Sequence, residues 1–262
     1  MIQNVILNGV SLQLSRILVA EDRPTLIFLH DSLGCIELWR DFPEQLGGAT
    51  HCNVLVYDRQ GYGKSSPFDN TDRNSNYLEV EADVLHWLME ALSIPSAFLF
   101  GHSDGGSIAL IAAAKYPEKI KGVITEGAHI FVEDITLKGI HEAVEAFQNT
   151  NLRQRLMKYH GEKTEAVVRA WADTWLSEGF RHWNIESFLA HILCPVLVIQ
   201  GEKDEYGSLA QVDGIISQVA AEAQKFILPS IGHTPHKEAK EAVLEKTTRF
   251  LHQIAPGLQD GL

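Results

Sequence analysis

Between two glycines in Gly101-His102-Ser103-Asp104-Gly105 stands a serine, inside the apolar stretch FLFGHSDGGSIALIAAA. This is the spacing G-x-S-x-G, with a strand-like AFLF before it and a buried-helix pattern after it. A serine at such a strand-to-helix turn is lifted clear of the backbone. It also sits at a helix N-terminus, which favours developing negative charge. Side chains two positions to either side would collide with each other or with the strand, which accounts for Gly101 and Gly105. Gly106 then lets the helix pack close to the sheet. The chemistry to expect is nucleophilic attack by Ser103.

A serine hydroxyl is a weak nucleophile until a base takes its proton and an acid orients that base. In this arrangement the chain order is serine, acid, histidine. Two downstream segments fit. VLVIQGEKDEYG places Asp204 just past an apolar strand, and FILPSIGHTPH places His233 just past another. Loops at the carboxyl ends of parallel strands share one edge of the sheet, so all three can converge. Glu205 and Glu126 compete for the acid role; the Gly201-x-x-Asp204 context favours Asp204. His236 competes with His233, but it falls at the start of the last helix, where a surface position is expected. His102 is expected to pack beside the turn. Two backbone N–H groups must hold the oxyanion. Asp104, next after the nucleophile, supplies one, and Ser32, in the loop after TLIFLH, is the choice for the other.

The elements that must position these groups are short and apolar. TLIFLH (25–30), CNVLVYD (52–58), AFLFG (97–101), KGVIT (121–125), CPVLVIQG (194–201) and QKFILP (224–229) lack period-2 polarity, as strands covered on both faces do. Two more strands flank the Asn8-Gly9 pair, a preferred type I′ turn. Helical patterns run over Tyr77–Leu92, Asp104–Tyr116, Leu209–Ala221 and His236–Ile254. The alternation predicts an α/β fold with a mostly parallel eight-stranded sheet and helices on both faces. One stretch breaks the rhythm. From 130 to 189 no strand pattern appears, and Trp171 and Trp175 lie four apart on one helical face. The expected division is a core of 1–129 and 190–262, with a helical cap over 130–189 whose aromatics line the substrate pocket.

A formal net charge of −12 argues against nucleic acid or an anionic membrane as partner and leaves a small molecule as the expected one. Cys35, Cys52 and Cys194 form no CxxC and indicate neither a zinc site nor disulfides. The N-terminus lacks a charged leader segment, and no apolar run reaches the roughly 18 residues of a membrane span, so a cytoplasmic location is expected. Neither a cofactor nor a metal is expected. Gly61-Tyr62-Gly63-Lys64-Ser65 ends like a phosphate-binding loop, but Asp58 stands where its first glycine belongs. HEAVE lacks the second histidine of a zinc protease, and His233 with His236 lacks a third ligand.

LIFLHDSLG, VLVYDRQGYGKSSP, FLFGHSDGGSIAL, VLVIQGEKDE and IGHTPH together resemble an α/β-hydrolase-fold serine hydrolase across essentially the whole chain. YDRQGYGKSSP, GHSDGGSIALIAAAKYP and EGAHIFVED are similar to the biphenyl-hydrolase-like, or valacyclovir-hydrolase, branch. The resemblance implies a Ser103–Asp204–His233 triad and a cap between the sixth and seventh strands. It departs from the pattern at Asp31, where many relatives carry glycine. Asp31 and Asp104 then place two carboxylates near the pocket. They either point away from the pocket and cap helices or suit a substrate with a cationic group, such as the amino-acid esters on which that branch acts. The expected activity is hydrolysis of a small carboxylic ester, lactone or amino-acid ester through an acyl-enzyme. Carbon–carbon bond hydrolysis or perhydrolysis on the same triad, and a low-turnover small-molecule receptor, are the alternatives.

Overall fold

The computed structural model describes residues 1–258. Its chain opens with a hairpin, β1 (Ile2–Leu7) and β2 (Val10–Ile17), paired antiparallel. Asn8 and Gly9 both have positive φ, 50° and 86°, as the turn requires. Then follow β3 (Thr25–Leu29), α1 (Phe42–Thr50), β4 (Asn53–Tyr57), α2 (Tyr77–Ala91), β5 (Ala97–His102), α3 (Asp104–Lys115) and β6 (Ile120–Glu126). Four helices come next: α4 (Asp134–Asn149), α5 (Leu152–His160), α6 (Thr164–Trp175) and α7 (Glu186–Leu189). The chain returns through β7 (Val196–Gly201), α8 (Leu209–Gln218), β8 (Ala223–Leu228), α9 (Pro235–Glu238) and α10 (Lys240–Ile254).

The eight strands form one sheet in the order β1-β2-β4-β3-β5-β6-β7-β8, parallel from β4 to β8. Side chains alternate across it, so each apolar strand feeds two cores. Ile27, Leu55 and Leu99 face α2, α3 and α8 through Leu85, Ile111 and Ile215. Phe28, Val56 and Phe100 face α1 and α10 through Phe42 and Phe250 on the opposite side. This is the expected eight-stranded α/β architecture. The sandwiched centre holds β5 rigid, and β5 carries the serine turn.

One local expectation fails, and one helix was not expected. The terminal helix is not continuous from His236: Ala239 (φ −137°, ψ 47°) breaks it into α9 and α10. Helix α1 escapes sequence patterning because Gly47 and Gly48 weaken its helical signal. Gly47 is there for contact: a Cβ would come within 2.3 Å of Val54 Cγ2 on β4. Between β6 and β7 the described chain holds helices and connecting loops but no strand, and one bridge, Phe131 with Asn184, joins the two ends of the excursion. Trp171, Trp175 and Trp183 bury themselves in the same core as α3. No described helix is long and apolar enough to cross a membrane.

Candidate active site

Ser103 occupies the left-handed side of conformational space, at φ 55° and ψ −119°. That strain is sustained by crowding on all sides. A Cβ on Gly101 would lie 2.1 Å from the Gly105 carbonyl oxygen, and one on Gly105 would lie 2.0 Å from that of Leu29. A Cβ on Gly106 would strike Ala128 at 2.7 Å. The three glycines therefore do what their spacing implies, and the strain belongs to the Ser103 backbone. Ser103 Oγ makes no hydrogen bond among the described residues and faces a cavity of about 440 Å³.

His233 and Asp204 meet each other, and His233 lines the same cavity as Ser103 without a hydrogen bond to its Oγ. His233 Nδ1 lies 2.8 Å from both carboxylate oxygens of Asp204. The same carboxylate accepts from Gln200 Nε2 at 2.8 Å, from the Tyr206 N–H at 2.8 Å and from the Gly207 N–H at 3.3 Å. Burial opposes the charge of Asp204, but His233 and the Tyr206 N–H outweigh it and hold the carboxyl below its ordinary range. Burial likewise disfavours charged His233. Asp204, with Glu205 and Asp31 beyond it, overrides that and raises the histidine pKa. With Nδ1–H directed at Asp204, Nε2 remains the free acceptor.

Close approach again requires glycines. A Cβ on Gly127 (φ 59°) would sit 2.8 Å from His233 Cε1, and one on Gly201 would sit 2.1 Å from the Gly232 carbonyl oxygen. The Gly201-x-x-Asp204 context is thus a packing requirement between two loops. Gly127 was not singled out by sequence reasoning; only its place after a strand end could have marked it.

Ser32 and Asp104, the expected oxyanion donors, line the cavity with Ser103. Neither backbone N–H donates a hydrogen bond among the described residues. Trp171 and Trp175 also line it, as their spacing implies, with Tyr206 and His129.

Three side chains depart from expectation. His236 is not on the surface: it is 3% exposed, and its ring and backbone N–H both bind fully buried Glu126. Two of the competitors of the sequence reading, Glu126 and His236, thus pair with each other. His102 does more than pack. One ring nitrogen lies 3.2 Å from Asp31 Oδ2 and the other 2.9 Å from the His233 carbonyl oxygen, so it ties the oxyanion loop to the histidine loop. Asp104 is 1% exposed; its carboxylate accepts from Tyr77 Oη at 2.9 Å and faces Arg59 Nη1 at 3.8 Å. That guanidinium removes the support Asp104 lent to recognition of a cationic substrate. Asp31 stays at the cavity with its side chain 23% exposed, though it too is held, by His102 and by the Leu33 N–H at 2.8 Å.

A family model described as alpha/beta hydrolase fold matches residues 24–156. Serine hydrolase BPHL of Homo sapiens is 31% identical over 242 residues, covering 88% of this chain and 80% of that protein. The chain belongs to the α/β-hydrolase family. This α/β-hydrolase is also similar to Lipase 3 of Moraxella sp. (strain TA144), 26% identical over 82% of this chain and 73% of that one. Among solved structures, the enol-lactonase from Burkholderia xenovorans LB400 matches with a TM-score of 0.74 at 18% identity, covering 95% of this chain and 99% of that one. At such identity the likeness speaks for the fold. The resemblance to the biphenyl-hydrolase-like branch is borne out, and the protein is a hydrolase.

Proposed function

We propose that this α/β-hydrolase cleaves a small carboxylic ester or lactone through an acyl-enzyme on Ser103. The observation that carries the reading is the strained Ser103 at the floor of a cavity that also holds an Asp204-oriented His233. Ser103 Oγ attacks the carbonyl carbon as His233 Nε2 takes its proton. The resulting imidazolium is stabilised by Asp204 and then protonates the departing alkoxide. Ser32 and Asp104 N–H groups receive the negative charge that appears on the carbonyl oxygen. Water, deprotonated by His233, repeats the attack on the acyl-enzyme and releases the acid.

In this reading, 130–189 is a cap whose Trp171 and Trp175 wall the acyl or alcohol side. Asp31, Glu205, Arg155 and Lys237 all line the cavity, two acids and two bases. Asp104 is a third acid of the lining, but its carboxylate is turned to the buried Arg59 guanidinium, so the remaining acids and bases balance and support an uncharged ester over a cationic one. Intact mass after treatment with a fluorophosphonate tests the nucleophile. One adduct is expected on wild type and none on Ser103→Ala; an unlabelled, folded wild type would sink the proposal. A panel of matched neutral and α-amino esters then tests the substrate. Preference for the amino ester that disappears in Asp31→Asn would move the reading to amino-acid esters.

A further inference from the structure

The Ser32 N–H belongs to the Asp31–Ser32 peptide, so whatever binds the Asp31 carbonyl acts on that donor. Two groups bind it. His30 Nδ1 lies 2.7 Å from the oxygen and Arg59 Nη2 lies 2.9 Å from it. The same Nη2 reaches the His30 carbonyl at 3.2 Å. The Arg59 N–H donates to His30 Nε2 at 3.1 Å, which leaves the His30 hydrogen on Nδ1, aimed at the Asp31 oxygen.

Arg59 is wholly buried. Its guanidinium lies 4.7 Å from the Tyr62 ring centroid. Nη1 faces the Asp104 carboxylate, in the very residue whose own N–H is the second oxyanion donor. Among the described residues, Nε and Nη1 have no hydrogen-bond partner. Leaving a cation buried with polar atoms unpaired is costly. A peptide is one delocalised unit, so a charge-assisted bond to its oxygen polarises its N–H as well.

We propose that Arg59 is a positioning residue of the oxyanion hole: anchored behind the Asp31–Ser32 peptide, its guanidinium orients and strengthens the Ser32 N–H that faces the reacting carbonyl. The inference rests on the acyl-transfer reading of Ser103. Arg59 is not part of the cavity lining. Its influence grows with charge that exists only in the transition state, so its removal lowers kcat and leaves KM nearly unchanged.

The full chain is compared with Arg59→Met and Arg59→Lys, using p-nitrophenyl acetate as substrate and phenylboronic acid, which forms a tetrahedral anion on an activated serine. Folding is checked by near-UV circular dichroism. For Arg59→Met, kcat is expected to fall roughly 10²-fold, with boronate affinity falling in parallel and KM held. Arg59→Lys, which keeps the charge but not the fork, falls less. Unchanged boronate affinity, or a loss confined to KM, overturns the inference. Should both variants fail to fold, the wild-type 15N resonance of Ser32 decides. It is displaced downfield when the carbonyl of its own peptide accepts strong bonds, and an ordinary serine position overturns the proposal. Absence of any boronate adduct on wild type would instead strike the acyl-transfer reading itself.

Discussion

Two imidazole–carboxylate pairs stand side by side in this molecule, and the His102 ring lies between them, 5.0 Å from the His233 ring and 5.2 Å from that of His236. Each histidine presents Nδ1 to an acid, Asp204 in one pair and Glu126 in the other. Their basicities nevertheless move in opposite directions. Burial weighs against both cations. At His233 it is overcome by Asp204, Glu205 and Asp31, and the pKa rises. At His236 burial wins despite Glu126, helped by His102 and Lys237, and the pKa falls. His236 is packed against Trp39 and Phe42, whereas His233 opens on the cavity. The lesson is that an acid–histidine pair alone does not make a base. A surplus of negative charge and an open place on the cavity are what fit His233, rather than His236, to the proposed role of base.

Substitutions can break this contrast. His233→Gln is expected to lower kcat by roughly 10⁴-fold or more without a loss of thermal stability, whereas His236→Gln lowers the melting temperature and keeps most of the activity. A comparable collapse of kcat in both would erase the distinction. Asp204→Asn is expected to cost roughly 10⁴-fold in kcat by allowing the wrong tautomer of His233. It also removes the charge that raises the His233 pKa, so the residual acidic limb of the pH–rate profile moves to lower pH. Glu126→Gln leaves that limb in place and instead destabilises the fold by about 1–3 kcal/mol, read by denaturant unfolding. The mildest effect is spectroscopic. In wild type, His233 titrates above the ordinary 6.5 and His236 below it, followed by ring NMR shifts. Since the base must be neutral, activity rises as pH increases through the His233 value; a limb below 6.5 contradicts the assignment.

Which parts of this were legible in the sequence follows from how local each signal is. The serine turn announces itself because strand, glycines and helix are contiguous around Ser103. Asp204 and His233 are readable as residues just past apolar strands. The sheet is readable because its strands are apolar on both faces. His236 and Glu126 were not, since nothing near either residue shows that a short helix after Thr234 folds inward over the end of β6. Arg59 and Tyr77 were invisible as partners of the loop after β3 and of the serine turn for the same reason: they reach Asp31 and Asp104 across the fold, 28 and 27 residues away in sequence. Only a burial pattern could have hinted at them, and arginine in a polar loop motif reads as solvent-facing.

The helices between β6 and β7 reach the serine turn by a hydrogen-bond relay, in which the indole N–H of Trp175 donates to Tyr77 Oη at 2.8 Å and that hydroxyl donates to Asp104. Trp175 also forms part of the cavity wall. The protein therefore carries a built-in optical reporter. Filling the cavity or shifting α3 changes the surroundings of two of the five indoles, Trp171 and Trp175, so occupancy can be followed by ultraviolet emission, with the difference from Trp175→Phe isolating the indole of the relay.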